Sequence, residues 1–135
     1  MKTAIIDVGS NSIRLLLGTY KNGQWYNEPK RLWTTRLGKR NDDGTLSTES
    51  MEASYKAFSE IDSFAKDYGV NQCFAFATSA VREASNGLDF MEKATTYCGM
   101  TYRILSGEEE AAYGFKGALR DRLSNGLHYA TIDIG

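Results

Sequence analysis

AIIDVGSNS, Ala4 to Ser12, decides the fold. Lys2 to Val8 is an apolar run rich in β-branched side chains, the pattern of a strand buried on both faces. It runs into Gly9-Ser10-Asn11-Ser12, which reads as a turn. Asp7 interrupts the run just before that turn, on the face opposite Ile6 and Val8. A glycine-rich turn at a strand's C-terminal end is where open α/β sheets take ligands. The last six residues echo the unit. ATIDIG, Ala130 to Gly135, agrees with the first strand at Ala, Ile, Asp and Gly, with Ile134 in the place of Val8.

Working outward, Ile13 to Tyr20 reads as a second strand and Lys21-Asn22-Gly23 as a hairpin turn. Gln24 to Leu37 reads as a third strand with an irregular middle around Pro29, and Gly38 to Gly44 as a polar loop. The period then changes. Met51, Tyr55, Phe58, Ile61, Phe64 and Tyr68 recur at three- and four-residue steps, one face of a helix. Ser47 is its expected N-cap and Gly69 its C′ residue. Gln72 to Ala77 is a short apolar strand. Asn86 is expected to cap a helix from Leu88 to Cys98, with Asp89 in its first turn and Gly99 after its end. Tyr102 to Leu105 is a strand. Ser106 starts a helix whose expected core face is Ala112, Phe115, Leu119 and Leu123, and Asn125-Gly126 turns the chain into a final strand. The order βββαβαβαβ predicts one α/β domain over residues 1–135, a mixed sheet flanked by helices.

The bulk numbers agree. The chain has 135 residues with 41% hydrophobic and 24% charged, one domain's worth of core-forming sequence. A formal net charge of -1 argues against a general nucleic-acid binder. No apolar stretch approaches the ~20 residues of a membrane helix, and MKTAIID carries no signal-peptide pattern. Cys73 and Cys98 lack C-x-x-C spacing and read as buried thiols of a reducing, cytoplasmic compartment. The only histidine, His128, falls on an expected strand with no nucleophile motif beside it, which disfavours a Ser-His-Asp mechanism.

Four groups of residues have types and spacing suited to chemistry. Gly9 permits close backbone approach, and the N–H groups of Ser10, Asn11 and Ser12 are placed to form an anion nest. Asp7 beside such a nest repels a phosphate unless a cation lies between them, and magnesium resolves that conflict; otherwise Asp7 caps its own turn. The second Asp-Gly unit, Asp133 and Gly135, is placed to face the first across a cleft. In LSGEEEAAYGF, Ser106 and Glu109 fit a capping box, and the helix dipole accounts for Glu108. Glu110 is not needed by the cap, and stands either as a general base or as a solvated first-turn acid. In ATSAVREASNG, Thr78 and Ser79 are positioned to cap a short helix. It carries Arg82, a phosphate fork or an ion-pair partner of Glu83 or another acid. Lys30, Arg31, Arg36, Lys39 and Arg40 cluster as a basic or merely solvated face.

DVGSNSIRLLL, RLGKRNDDGTLS, FATSAVREASNG, LSGEEEAAYGF and IDIG stand in the order and spacing of one known family. From residue 4 to 135 the chain resembles the exopolyphosphatase/guanosine-pentaphosphate phosphohydrolase (Ppx/GppA) family. That resemblance implies an RNase H-like domain of the actin-like ATPase superfamily. It implies hydrolysis of a terminal phosphoanhydride of inorganic polyphosphate or of pppGpp, the stringent-response alarmone. It implies Mg2+ or another divalent cation held by Asp7 and Asp133. Phosphate would be bound by Gly9, Ser10, Asn11, Ser12, Arg82 and Gly135, with Glu110 as the catalytic base. It implies no nucleic-acid or membrane partner, and a possible homodimer in the full-length protein. In the family the second loop continues past IDIG, so the chain is expected to be an N-terminal domain, inactive or nearly so by itself. An ATP-using kinase or ATPase of the same superfamily, and a non-catalytic alarmone sensor, are the rival expectations.

Overall fold

Strand β1 (Lys2–Val8) is the middle of a six-stranded sheet. The structure is a computed structural model and describes residues 1–119. On one side of β1 lies antiparallel β2 (Ser12–Lys21), with Val8 opposite Ile13 and Lys2 opposite Thr19. On the other side β5 (Gln72–Ala77) and then β6 (Thr101–Ile104) run parallel to β1. The outer edge of β2 pairs with both β3 (Gln24–Asn27) and β4 (Arg31–Thr34). The expected third strand is thus two strands. Gly18 faces Asn27 while Leu15 faces Arg31, so Glu28, Pro29 and Lys30 stand opposite only Leu16 and Leu17. Pro29 has no N–H to give the ladder, and the extra residue is accommodated there as a bulge.

Helix α1 (Thr48–Tyr68) forms where the period predicts it. The Ser47 hydroxyl accepts from the Ser50 N–H, and Gly69 takes a left-handed conformation (φ 78°) that closes the C-terminus. Phe58 and Ile61 of α1 are fully buried with Phe90 and Met91 of α3 (Gly87–Ala94). They lie against Ala4, Ile6, Val8, Ile13 and Leu15 of the sheet in one core. Each large apolar side chain so buried contributes about 1.5–3 kcal/mol.

β1 is not buried on both faces. Ala4, Ile6 and Val8 have no exposure, whereas Ile5 is 36% exposed and Asp7 is half-buried. Helices α1 and α3 cover one face only. Exposed on the other are Ile5, Tyr20, Trp25 and Leu32. Helix α4 (Gly107–Leu119) touches that face through Tyr113, whose ring centroid lies 6.3 Å from that of Phe76. Its expected core residues Ala112 and Phe115 are exposed instead, because Tyr113 rather than the Ala112–Phe115 side meets the sheet.

Two local expectations need correction. Helix α3 ends at Ala94 rather than Cys98, where Thr95 and Thr96 turn their hydroxyls onto the carbonyls of Glu92 and Lys93. Asn86 occupies the N-cap position without capping. Its amide instead bonds Leu46, accepting from the N–H at 2.8 Å and donating to the carbonyl, and so ties α3 to the loop before α1. The expected final strand, Leu123, His128, Asp133 and Gly135 lie outside the described residues. Among the described residues no helix is long and apolar enough to cross a membrane.

Candidate functional site

Because β1, β5 and β6 are parallel, their C-terminal ends share one edge of the sheet. Three connections leave that edge together: the Gly9–Ser12 loop, the segment Thr78–Arg82 holding α2 (Ser79–Arg82), and the entry into α4 from Leu105. This is the position where open α/β sheets take ligands.

The first loop is held from behind. The Ser10 carbonyl accepts from the Gly38 N–H at 2.7 Å, and the Asn11 carbonyl accepts from the N–H groups of Thr35 and Arg36 at 3.1 and 3.0 Å. In a trans peptide the N–H points opposite to the C=O. Pinning these two carbonyls therefore turns the N–H groups of Asn11 and Ser12 away from the 35–38 segment, as an anion nest requires. Two glycines keep the packing around this loop close. A Cβ on Gly9 would sit 3.0 Å from the Ser12 carbonyl oxygen, and one on Gly38 would sit 3.0 Å from the Ser10 Cβ. The Ser10 and Ser79 hydroxyls lie 3.2 Å apart and join the first loop to the start of α2. Thr78 takes the N-cap position of α2 but offers no side-chain cap bond.

Arg82 takes the expected ion pair with an acid, and that acid is Glu110 rather than Glu83. Its Nη1 donates to the Leu105 carbonyl at 2.7 Å and to Glu110 Oε2 at 3.3 Å, while Glu83 is only grazed at 4.0 Å. One nitrogen thus links the end of β6 to the first turn of α4. This link spans 28 residues of sequence, and no local spacing signals it.

The three glutamates divide their work. Glu109 and Ser106 form the reciprocal capping box: the Ser106 N–H donates to Glu109 Oε2 at 2.9 Å and the Glu109 N–H to Ser106 Oγ at 3.1 Å. Glu109 also pairs with Arg103. Glu108 is exposed. Glu110 alone turns to Arg82 and stays partly open to solvent.

Asp7 projects from the same edge. Its register partner is Arg14, whose Nη1 lies 3.6 Å from Asp7 Oδ2. Burial pushes the Asp7 carboxyl above its ordinary range; Arg14 opposes this, the Glu110 carboxylate adds to it, and Lys30 opposes it. Asp7 and Glu110 are therefore close enough to repel each other. Such a pair suits a hard cation, because both offer carboxylate oxygens. Among the described residues no three His, Cys, Asp or Glu side chains converge as a metal site.

The basic residues are dispersed among different tasks. Arg40 pairs with Glu83 at 2.9 Å, Arg31 stacks over the Phe64 ring at 3.9 Å, and Lys30 acts on Asp7. Arg36 and Lys39 line a cavity of about 340 Å³ beside the N-terminus of α1. Gly9, Ser10, Asn11, Ser12, Asp7, Arg82 and Glu110 are gathered at one edge. Asp133 and Gly135 lie outside the described residues.

Comparison with known proteins gives a consistent result. A sequence model of the Ppx/GppA phosphatase family matches residues 29–135. A guanosine-5'-triphosphate,3'-diphosphate pyrophosphatase of Aliivibrio fischeri is 32% identical over 133 residues, 98% of this chain and 27% of that protein. Exopolyphosphatase 1 of Mycobacterium tuberculosis is 32% identical over 139 residues, 100% of this chain and 40% of that protein. The chain thus spans roughly a quarter to two fifths of the length of these curated relatives. The crystal structure of the Aquifex aeolicus Ppx/GppA family member superposes with a TM-score of 0.79 at 28% identity, over 87% of this chain and 39% of that one. An exopolyphosphatase from Cytophaga hutchinsonii superposes at 0.83 with 22% identity, over 89% and 39%, and shows the same fold. The fold is the RNase H-like α/β domain of the actin-like ATPase superfamily.

Proposed function

The chain belongs to the Ppx/GppA phosphatase family, and from that premise we propose that the complete protein hydrolyses the terminal phosphoanhydride of inorganic polyphosphate or of pppGpp. The observation that carries this reading is the Arg82–Glu110 pair, set at the same sheet edge as Asp7 and the Gly9–Ser12 loop.

Glu110 is the proposed general base. It orients a water for in-line attack on the terminal phosphorus and takes its proton. Arg82 fixes Glu110 through Nη1 and has a second guanidinium nitrogen for a phosphoryl oxygen. The N–H groups of Asn11 and Ser12, next to Gly9 and Ser10, take phosphate oxygens of the chain being cut. Asp7, with Asp133, would hold magnesium directly or through water, and the bound ion supplies charge neutralisation at the phosphoanhydride. No protein nucleophile is required. Arg14 and Lys30 oppose the upward push that burial and the Glu110 carboxylate exert on the Asp7 carboxyl. The chain alone covers only 27% to 40% of its curated relatives, and we expect little or no phosphate release from it.

The test is a substrate panel with the complete protein and magnesium. Phosphate release from polyphosphate or pppGpp, with ATP left intact, is the expected result. ATP turnover alone would place the protein with the kinases and ATPases of the superfamily. Tight pppGpp binding without release would make it a sensor.

A further inference from the structure

Away from this edge, at the opposite end of β5, the two cysteines share a cavity. It measures about 240 Å³ and is lined by Asp62, Ala65 and Lys66 of α1 together with Cys73, Cys98 and Gly99. The fold brings the two thiols there from separate elements. Cys73 is the register partner of Ala4, so it points to the buried side of the sheet. Phe74 pairs with Thr101, and Cys98 sits three residues before Thr101, in the turn that follows α3. Cys98 is buried at 2% exposure, while Cys73 is half-buried rather than buried as its sequence context predicts. At Gly99 a Cβ would meet nothing within 4 Å, which leaves the space beside Cys98 open.

We propose that Cys73 and Cys98 form a redox dithiol that closes to an intramolecular disulfide on reaction with a small-molecule disulfide entering this cavity. The two thiols are unequal. Cys73 is half-buried and within reach of a molecule in the cavity, whereas Cys98 is buried behind it. Cys73 is therefore the attacking sulfur and Cys98 the resolving one. The Cys73 thiolate attacks one sulfur of the small disulfide, forms a mixed disulfide and expels one small thiolate. Cys98 then gives up its proton to solvent and attacks the Cys73 sulfur, releasing the second small thiolate. The two protein thiols lose two electrons and the small disulfide gains them. Cys73 lies four residues from Ala77, about 13 Å along the strand from the candidate site, so the exchange does not draw on the proposed catalytic groups.

The experiment treats the reduced protein with oxidised glutathione and maps its peptides without reduction. The expected product is a peptide pair joined through Cys73 and Cys98, with little retained glutathione. Cys98→Ala should retain glutathione on Cys73, and Cys73→Ser should leave Cys98 unmodified. A wild-type map in which both cysteines stay reduced overturns the proposal. So does one in which Cys73 carries stable glutathione or links to another molecule, and so does glutathione on Cys98 in Cys73→Ser.

Discussion

Arg82 donates through Nη1 to Glu110 Oε2 at 3.3 Å while the same nitrogen donates to the Leu105 carbonyl at 2.7 Å. The proposed base is therefore positioned by a residue on a different connection. Arg82→Lys keeps the charge but loses the planar fork. Phosphate release by the complete protein should fall about 10²- to 10³-fold, chiefly in kcat, the range seen when one transition-state donor is removed. Steady-state kinetics on polyphosphate check this, and a variant with unchanged kcat would remove Arg82 from the site.

Glu109 stands next to Glu110 and is given a different task. It closes the capping box with Ser106. Ser106→Ala should lower stability by about 1 kcal/mol, read by denaturant unfolding, and leave phosphate release per folded molecule close to wild type. Glu109→Gln should likewise preserve turnover. A collapse of turnover in Glu109→Gln would transfer the proposed base role to that residue.

These local features were legible in the sequence because local chemistry fixes them. The Met51–Tyr68 stripe, Ser47 and Gly69 define α1 from contacts within a few residues, and the Ser106-x-x-Glu109 spacing defines the start of α4. What depends on tertiary packing was not legible. An apolar run such as Lys2–Val8 reads alike whether one or both of its faces are covered, so the exposure of Ile5 had no signature. Asn86 satisfies the pattern of a cap, yet Leu46, 40 residues away, takes its amide. The candidate site shows the same division. Asp7 and Gly9–Ser12 announce themselves as a strand end and a turn. The union of Arg82, Leu105 and Glu110 exists only once β5 and β6 lie side by side.

Asp7 is held against its own stability. Its folded carboxyl titrates above its unfolded value, with burial the largest cause. The folded state then binds the proton more tightly, so this group's contribution weakens stability as pH rises from the unfolded range through the folded one. Asp7→Asn removes that effect and gives up only a solvent-exposed pairing with Arg14. At neutral pH the variant should gain about 1–3 °C in Tm, and the gain should shrink as pH falls through the carboxylate range. Thermal melts of both proteins across that range decide it. A variant that is less stable at neutral pH contradicts this account of Asp7.

Gly87 opens α3 against the end of α2. A Cβ there would sit 2.0 Å from the Val81 carbonyl oxygen, which is backbone and cannot swing aside. Gly87→Ala should cost about 3 kcal/mol, mostly from displacing α3. Equilibrium unfolding measures this, and a loss within experimental error of zero would show that α2 and α3 are not packed as described.

The most direct measurement is phosphate release from polyphosphate and pppGpp, with magnesium, by the complete protein and its Glu110→Gln variant. Glutamine keeps the shape and accepts from Arg82, but it cannot take a proton from water. The account predicts that release collapses, by at least about 10²-fold, while the substrate still binds and the fold is unchanged. Release at the wild-type rate by Glu110→Gln would contradict it, leaving Glu110 as a first-turn acid paired with Arg82.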